Sequence, residues 1–148
     1  MRPARSCEIY IDGASRGNPG PSGIGAVFFD GASQPVKQLS HHLGETTNNV
    51  AEYLALIYAL QEALRDGYTA VSVKTDSELL ARQLNGQYRV RDAQLRLFCG
   101  LAQHLRTQFD RCTVAHVPRE RNVLADRLAG RAADQRSSAS RAADINVL

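Results

Sequence analysis

The spacing of apolar residues changes at Asn48, and this change constrains the fold more than any other feature of the chain. Before it, short apolar segments are separated by turn residues, which is typical of β-strands joined by tight loops. After it, apolar residues from Val50 to Leu64 recur at helical spacing, and we predict a long, largely buried helix that stops at Gly67. Thr46, Thr47 or Asn48 would cap it. Strands followed by alternating helices and strands indicate a mixed α/β domain.

Five strands and four helices are predicted. The strands cover residues 7–12, 24–29, 36–43, 70–75 and 112–116, and the segment 13–23 is interpreted as a glycine-rich turn. The helices cover residues 48–67, 77–84, 92–109 and 122–134. We predict one domain over residues 1–135 and a flexible tail, rich in Ser, Ala and Arg, over residues 136–148.

Composition narrows the class of protein. The chain has 148 residues, 43% of them hydrophobic and 22% charged, which suits one globular domain. It has no apolar run of the roughly 20 residues that a membrane span needs, and its N-terminus lacks the apolar segment of a signal peptide, so we expect a cytoplasmic protein without membrane association. We also expect a monomer. The three cysteines contain no CxxC pair and suggest neither a disulfide framework nor a zinc site. All basic residues except Lys37 and Lys74 are arginine, which suits phosphate contact but would also follow from a GC-rich genome.

Four acidic residues lie at the ends of predicted elements. Asp12 and Asp76 end strands, Glu52 begins the long helix and Asp126 belongs to the last helix. Taken singly, three of them have ordinary explanations as a turn residue, a helix cap and a solvated side chain. Glu52 is harder to explain in this way because an apolar run follows it, and a buried carboxylate is costly unless a cation meets it.

Together the four acids predict a metal site. Pairs of divalent ions held by shared carboxylates stabilise both the attacking and the leaving oxygen of phosphoryl transfer. The alternative is a metal-free pair of acid/base carboxylates, as in glycosidases, beside a sugar cleft lined with aromatic residues. The absence of Trp from the sequence, with four Phe and five Tyr, argues mildly against that alternative.

The segment GASRGNPGPSG matches neither common nucleotide-binding glycine motif. It has two interpretations, which stay open here. It forms a tight hairpin turn, or Gly13, Gly17 and Asn18 allow a polynucleotide backbone to approach closely.

Four ordered motifs carry a resemblance to a known family: DGASRGNPGPSGIGAV, TTNNVAEYLAL, KTDSELL and HVPRERNVLADRLA. From Glu8 to Ala133 the chain resembles ribonuclease H type 1, most closely its compact bacterial and archaeal subgroup. The resemblance implies an RNase H-like α/β fold with a mixed five-stranded sheet in the order 3-2-1-4-5 flanked by helices. It also implies Mg²⁺- or Mn²⁺-dependent cleavage of the RNA strand of RNA/DNA hybrids, giving 5′-phosphate and 3′-hydroxyl ends.

The resemblance also implies roles for individual residues. The positions that match the family's metal ligands are Asp12, Glu52, Asp76 and Asp126. We expect two Mg²⁺ ions with substrate, one near Asp12 and Asp126 that activates water, and one near Asp12, Glu52 and Asp76 that stabilises the departing 3′-oxygen.

Substrate contacts are expected from five further residues: Gly13, Asn18, Asn48, Asn49 and Ser77. The asparagines match family residues that approach the minor groove of the hybrid, where a 2′-hydroxyl distinguishes RNA from DNA. Helix capping is the alternative interpretation of Asn48 and Asn49. Glu78 stands where many relatives have Gln.

The chain departs from the best-studied family pattern in two places. It lacks a basic protrusion, because residues 86–92 offer only Arg89 and Arg91, so affinity for the hybrid is weaker or rests on other residues such as Arg16, Arg82, Arg119 and Arg121. It also lacks the flexible loop that, in the family, carries a catalytic histidine before the last Asp; this histidine helps the product leave. Arg119 and His116 are both candidates for that role, and we favour Arg119, whose planar guanidinium suits phosphate.

Three other functions are alternatives to hybrid cleavage. A hybrid-binding module without catalysis would have no reason to keep four acids. A resolvase-like nuclease would share the acids but not the combination of TTNNVAE and GNPGPSG. Cleavage of double-stranded RNA, in addition to or instead of the hybrid, stays open.

Overall fold

The computed structural model describes residues 4–135. The predicted tail, 136–148, lies outside the described residues. The chain forms these elements in order: β1 (Ser6–Ser15), β2 (Gly20–Phe29), β3 (Lys37–Thr46), α1 (Asn48–Arg65), β4 (Ala70–Thr75), α2 (Glu78–Leu84), α3 (Ala93–Arg106), β5 (Arg111–His116), a short 3-10 helix (Arg119–Arg121) and α4 (Val123–Ala133).

The strands form one sheet in the order β3-β2-β1-β4-β5. The pairs β1–β2 and β2–β3 are antiparallel, whereas β4 pairs in parallel with both β1 and β5. The predicted mixed sheet and its strand order are therefore confirmed. The parallel pairing of β1 with β4 ends at Ile11 and Thr75, so the next residues of the two strands, Asp12 and Asp76, lie at a common edge.

The predicted turn over residues 13–23 was too long. β1 continues to Ser15, which pairs with Ser22, and only residues 16–19 connect the two strands. Gly13 and Gly23 belong to the strands, and helices pack directly on them. A Cβ atom on Gly13 would lie 2.5 Å from the backbone nitrogen of Glu52, and one on Gly23 would lie 2.5 Å from that of Ala133.

Helices cover both faces of the sheet. The main core joins β1, β2 and β4 to α1 through fully buried side chains such as Ile9, Ile11 and Leu56. A smaller cluster on the other face contains Val27 and Leu128, where α4 packs on β2. Helix α1 lies deep in the domain. Six of its 18 residues are wholly inaccessible to solvent, namely Ala51, Ala55, Leu56, Ala59, Leu60 and Ala63.

Helix α3 leaves two of its leucines exposed. Leu95 and Phe98 pack against the core, but Leu97 is 75% exposed and Leu101 is 43% exposed. Among the described elements, α3 makes most of its contacts with α1.

We predict opposite effects of the same substitution at two glycines. In Gly25→Ala, the new methyl group would lie 2.7 Å from the backbone nitrogen of Ala129, so α4 must move and stability falls by about 1–3 kcal/mol. In Gly100→Ala, on the open side of α3, nothing lies within 4 Å and the better helix propensity raises stability by about 0.5–1 kcal/mol. Urea unfolding measures both. Equal effects of the two substitutions would contradict the packing of α4 on β2.

Candidate active site

Three of the four predicted metal ligands form one group. Asp12, Glu52 and Asp76 each place a carboxylate oxygen within 4.8 Å of the others. Asp12 comes from β1, Glu52 from the first turns of α1, and Asp76 from the residue after β4. Asp12 and Glu52 are each only 5% exposed, and Asp76 is half-buried.

Gly13 makes this group possible. Because it has no side chain, the backbone of α1 at Ala51 and Glu52 lies directly against β1. The Gly13 N–H donates to Oε1 of Glu52 across 3.3 Å. The other carboxylate oxygen, Oε2, is buried and has no hydrogen-bond partner among the described residues. A buried oxygen without a partner, on a side chain that lies among two other carboxylates, is the feature that a bound cation would satisfy.

Asp126 approaches from the other face of the sheet but lies outside this group of three. It is half-buried in the first turn of α4, and its interaction with Asp12 helps to raise the pKa of Asp12. Its position depends on Asn122, which is 1% exposed and donates from Nδ2 to the Ile11 carbonyl across 2.8 Å. The Asn122 carbonyl in turn accepts from the Asp126 N–H. Asn122 therefore ties the start of α4 to the residue before Asp12.

The sequence did not single out Asn122 as functional, and it was interpreted only as the start of a helix. A usual N-cap accepts a backbone N–H with its side chain, but the Asn122 side chain makes no such bond. The motif offered one hint, namely a small amide placed four residues before an acid of the site.

The electrostatics of the group are unfavourable without a cation. Burial, with the nearby charges of Glu52 and Asp76, raises the pKa of Asp12 far above its ordinary value. Burial also raises the pKa of Glu52, although hydrogen bonds from Asp12 and Gly13 oppose the shift. The pair therefore holds protons near neutral pH that ordinary carboxyl groups release, and a divalent cation would displace them.

The predicted substrate residues lie around this group. Asn18, in the turn between β1 and β2, accepts the Asn48 N–H with its Oδ1 across 3.0 Å. Thr47 caps α1 by accepting the Val50 N–H, so the side chains of Asn48 and Asn49 are not needed for capping and are exposed.

Ser77 and Gly13 have structural tasks as well. Ser77 caps α2 by accepting the Leu80 N–H across 3.1 Å, which leaves the neighbouring Asp76 carboxylate free for the metal-ligand group. Gly13 is buried against α1, and its N–H is already bonded to Glu52.

The two candidates for the role of the family's catalytic histidine, Arg119 and His116, differ in position. Arg119, exposed in the 3-10 helix, lines a shallow pocket that also contains Asp126. His116 is exposed at the end of β5 and does not line that pocket. His41 stacks on Tyr58, and Nδ1 of His42 lies 2.9 Å from the Ala132 carbonyl oxygen, so both have structural contacts on β3.

A larger cavity than this pocket lies elsewhere. Its volume is about 930 Å³, and its walls include Tyr10, Phe29 and Leu124 on the α4 face of the sheet. It contains none of the four acids, so its size does not identify it as the site of chemistry.

The chain is similar in sequence to known proteins. Residues 10–132 match the family described as Reverse transcriptase-like. Ribonuclease HI of Halobacterium salinarum is 43% identical over 125 residues, which is 84% of this chain and 63% of that protein. Ribonuclease H of Chromohalobacter salexigens is 36% identical over 150 aligned residues, 91% of this chain and 88% of that protein.

The fold is also similar to that of a solved structure that contains a nucleic acid. LC11-RNase H1 in complex with an RNA/DNA hybrid superposes with a TM-score of 0.82 at 40% identity, covering 87% of this chain and 97% of the other.

This chain is shorter than several of its relatives. It spans 63% of the Halobacterium protein and 38% of a bifunctional protein of Mycobacterium tuberculosis. No helix within residues 4–135 has the length and apolar character needed to cross a membrane. The similarity in sequence, the order of the strands and the group of acids all lead to the same conclusion: the chain belongs to the ribonuclease H family, type 1.

Proposed function

We propose that this chain is an endoribonuclease that hydrolyses the RNA strand of RNA/DNA hybrids with divalent metal ions, leaving 5′-phosphate and 3′-hydroxyl ends. The observation that carries the proposal is the group Asp12, Glu52 and Asp76, with one buried Glu52 oxygen that has no partner among the described residues. The relative bound to an RNA/DNA hybrid supports the choice of substrate.

The donor set suits hard divalent cations. All four acids offer carboxylate oxygens, which Mg²⁺ and Mn²⁺ prefer over nitrogen or sulfur ligands. Asp12, Glu52 and Asp76 would hold one ion, and Asp12 with Asp126 would hold a second. Bound there, such ions lower the pKa of a bound water and stabilise the oxygen that leaves.

The chain's own residues keep these acids in place before substrate arrives. The Gly13 N–H fixes one oxygen of Glu52, and Asn122 fixes the start of the helix that carries Asp126. Preorganised groups need little rearrangement during the reaction, which is the main source of electrostatic catalysis.

Selection of RNA is assigned to the exposed amides beside the acids. The side chains of Asn48 and Asn49 do not cap α1, because Thr47 does. An amide can both donate a hydrogen bond to a 2′-hydroxyl and accept one from it. Asn18 holds the turn against the start of α1 and presents its amide at the same surface. Ser77 lies next to Asp76 and extends this surface along α2.

Product release is assigned to Arg119. The Arg119 side chain lines a pocket with Asp126, where its guanidinium can bind a phosphate released by cleavage. His116 lines no part of that pocket.

A cleavage assay with labelled RNA/DNA, RNA/RNA and DNA/DNA duplexes tests the proposed function. We expect cuts in the RNA strand of the hybrid with Mg²⁺ or Mn²⁺ and none in chelator. Cuts in RNA/RNA would add a second substrate. Cutting of DNA/DNA, or activity that survives chelation, would overturn the proposal.

Removing one metal ligand should abolish this activity. We expect Asp76→Asn to slow hybrid cleavage by at least about 100-fold, because the loss of a direct ligand exceeds the loss of an outer contact. Asp110→Asn is the matched control, since Asp110 is exposed near the opposite end of the sheet. Near-normal cleavage by Asp76→Asn would remove Asp76 from the metal site.

The raised pKa values of Asp12 and Glu52 predict how stability depends on pH in chelator. The folded chain binds protons at these groups that the unfolded chain releases, so stability falls as the pH rises from about 5 to 8. Asp12→Asn should flatten this dependence and raise stability at pH 8 by on the order of 1–2 kcal/mol. Urea unfolding at several pH values measures it. Parallel curves for the wild type and Asp12→Asn would contradict the unfavourable charge pairing.

Arg119 and His116 are separated by turnover kinetics. Arg119→Ala should lower the steady-state rate roughly 10-fold while leaving a single turnover nearly unchanged, because release and not cleavage is affected. His116→Ala should behave like the wild type. The reverse pattern would assign the role to His116.

A further inference from the structure

A basic pocket lies beside the acids, on the side of α4. Four arginines line it, namely Arg16, Arg119, Arg127 and Arg131, and we call it the arginine pocket. Asp126 also lines it, so the pocket adjoins one of the four acids.

Hydrogen bonds hold the Arg16 side chain in place on one side of the arginine pocket. Its guanidinium donates to both carboxylate oxygens of Asp134, across 2.9 and 3.2 Å, and to the Gly130 carbonyl across 3.2 Å. A Cβ atom on Gly130 would lie only 2.9 Å from the Arg16 Nη2 atom. Glycine inside a helix costs about 1 kcal/mol relative to alanine, and here it makes room for the guanidinium.

Arg127 and Arg131 have no such partners. They are exposed on α4 and, within residues 4–135, take part in no salt bridge. They are four residues apart and therefore neighbours on one helix face, where like charges repel. An anion between them would relieve this repulsion.

We propose that the arginine pocket binds a backbone phosphate of the RNA strand, next to the phosphate that is cleaved. The proposal rests on the proposed function. Arginine forks bind phosphate oxygens in pairs, and a strand whose cleaved phosphate lies at Asp126 carries its neighbouring phosphates within reach of the pocket.

This contact would explain how the chain holds a hybrid without a basic protrusion. Residues 86–92 contribute only Arg89 and Arg91, and the Arg82 side chain stacks on Tyr88 and pairs with Glu78. The arginine pocket instead supplies positive charge beside Asp126. A phosphate contact there fixes the register of the strand and carries no sequence preference.

Binding of a labelled RNA/DNA hybrid by fluorescence anisotropy tests the proposal, in an Asp12→Asn background with Mg²⁺ so that the hybrid stays intact. The double variant Arg127→Ala/Arg131→Ala should bind roughly 10- to 100-fold more weakly. The slope of log affinity against log salt concentration should become shallower by about 1. Arg65→Ala is the matched control, because Arg65 is an exposed arginine in the last turn of α1, as Arg131 is in α4.

Replacing single phosphates of the RNA strand by uncharged linkages identifies the phosphate that the arginine pocket binds. Single methylphosphonates are placed along the RNA strand, each after a 2′-O-methyl nucleotide, with the same 2′-O-methyl hybrids carrying ordinary phosphates as controls. One linkage within a few nucleotides of the cleavage site should weaken binding by protein with the arginines intact and have no effect on the double variant.

The outcomes distinguish the proposal from the proposed function. Affinity and salt slope of the double variant equal to those of Arg65→Ala would overturn the arginine pocket. So would a neutral linkage that weakens both proteins equally. No binding of hybrid by any of the proteins would refute the proposed function and the pocket with it. Circular dichroism melting confirms that each variant is folded.

Discussion

The contact between Gly13 and the first turns of α1 is the constraint on which the site depends. It brings the helix backbone against β1, so that Glu52 lies beside Asp12 with one oxygen bonded to the Gly13 N–H and the other without a partner in the described chain. A larger residue at position 13 would push the helix away and separate the carboxylates. The packing of the core and the placement of the proposed metal ligands thus share one contact.

The end of the parallel pairing supplies the space for the remaining ligands. β1 continues beyond β4, so Asp12 lies next to Asp76 where the two strands part. Asn122 then holds α4 to the Ile11 carbonyl and brings Asp126 to Asp12 from the other face of the sheet. Acids from four separate elements converge although burial and mutual repulsion oppose it. Such an arrangement is stable when a cation neutralises part of the charge.

Much of this could be predicted from the sequence, for reasons that differ between elements. The period of apolar residues located α1 and β4 almost to the residue, and the family resemblance supplied the strand order. The glycine-rich segment was misinterpreted because glycine favours turns in general but here permits helix contacts from within strands. Leu97 and Leu101 show that apolar spacing alone does not indicate whether a partner covers the helix. Thr46, Thr47 and Asn48 can all cap a helix, so only the structure selected Thr47.

The response of folding stability to Mg²⁺ tests most directly whether the buried carboxylates form a cation site. The account predicts that the free energy of unfolding of the wild type rises with Mg²⁺ concentration, approaching about 1.4 kcal/mol per tenfold increase above the dissociation constant. Glu52→Gln, which keeps the shape of the side chain and removes its charge, should respond much less. A wild type whose stability is indifferent to Mg²⁺, or a Glu52→Gln variant that responds equally, would contradict it.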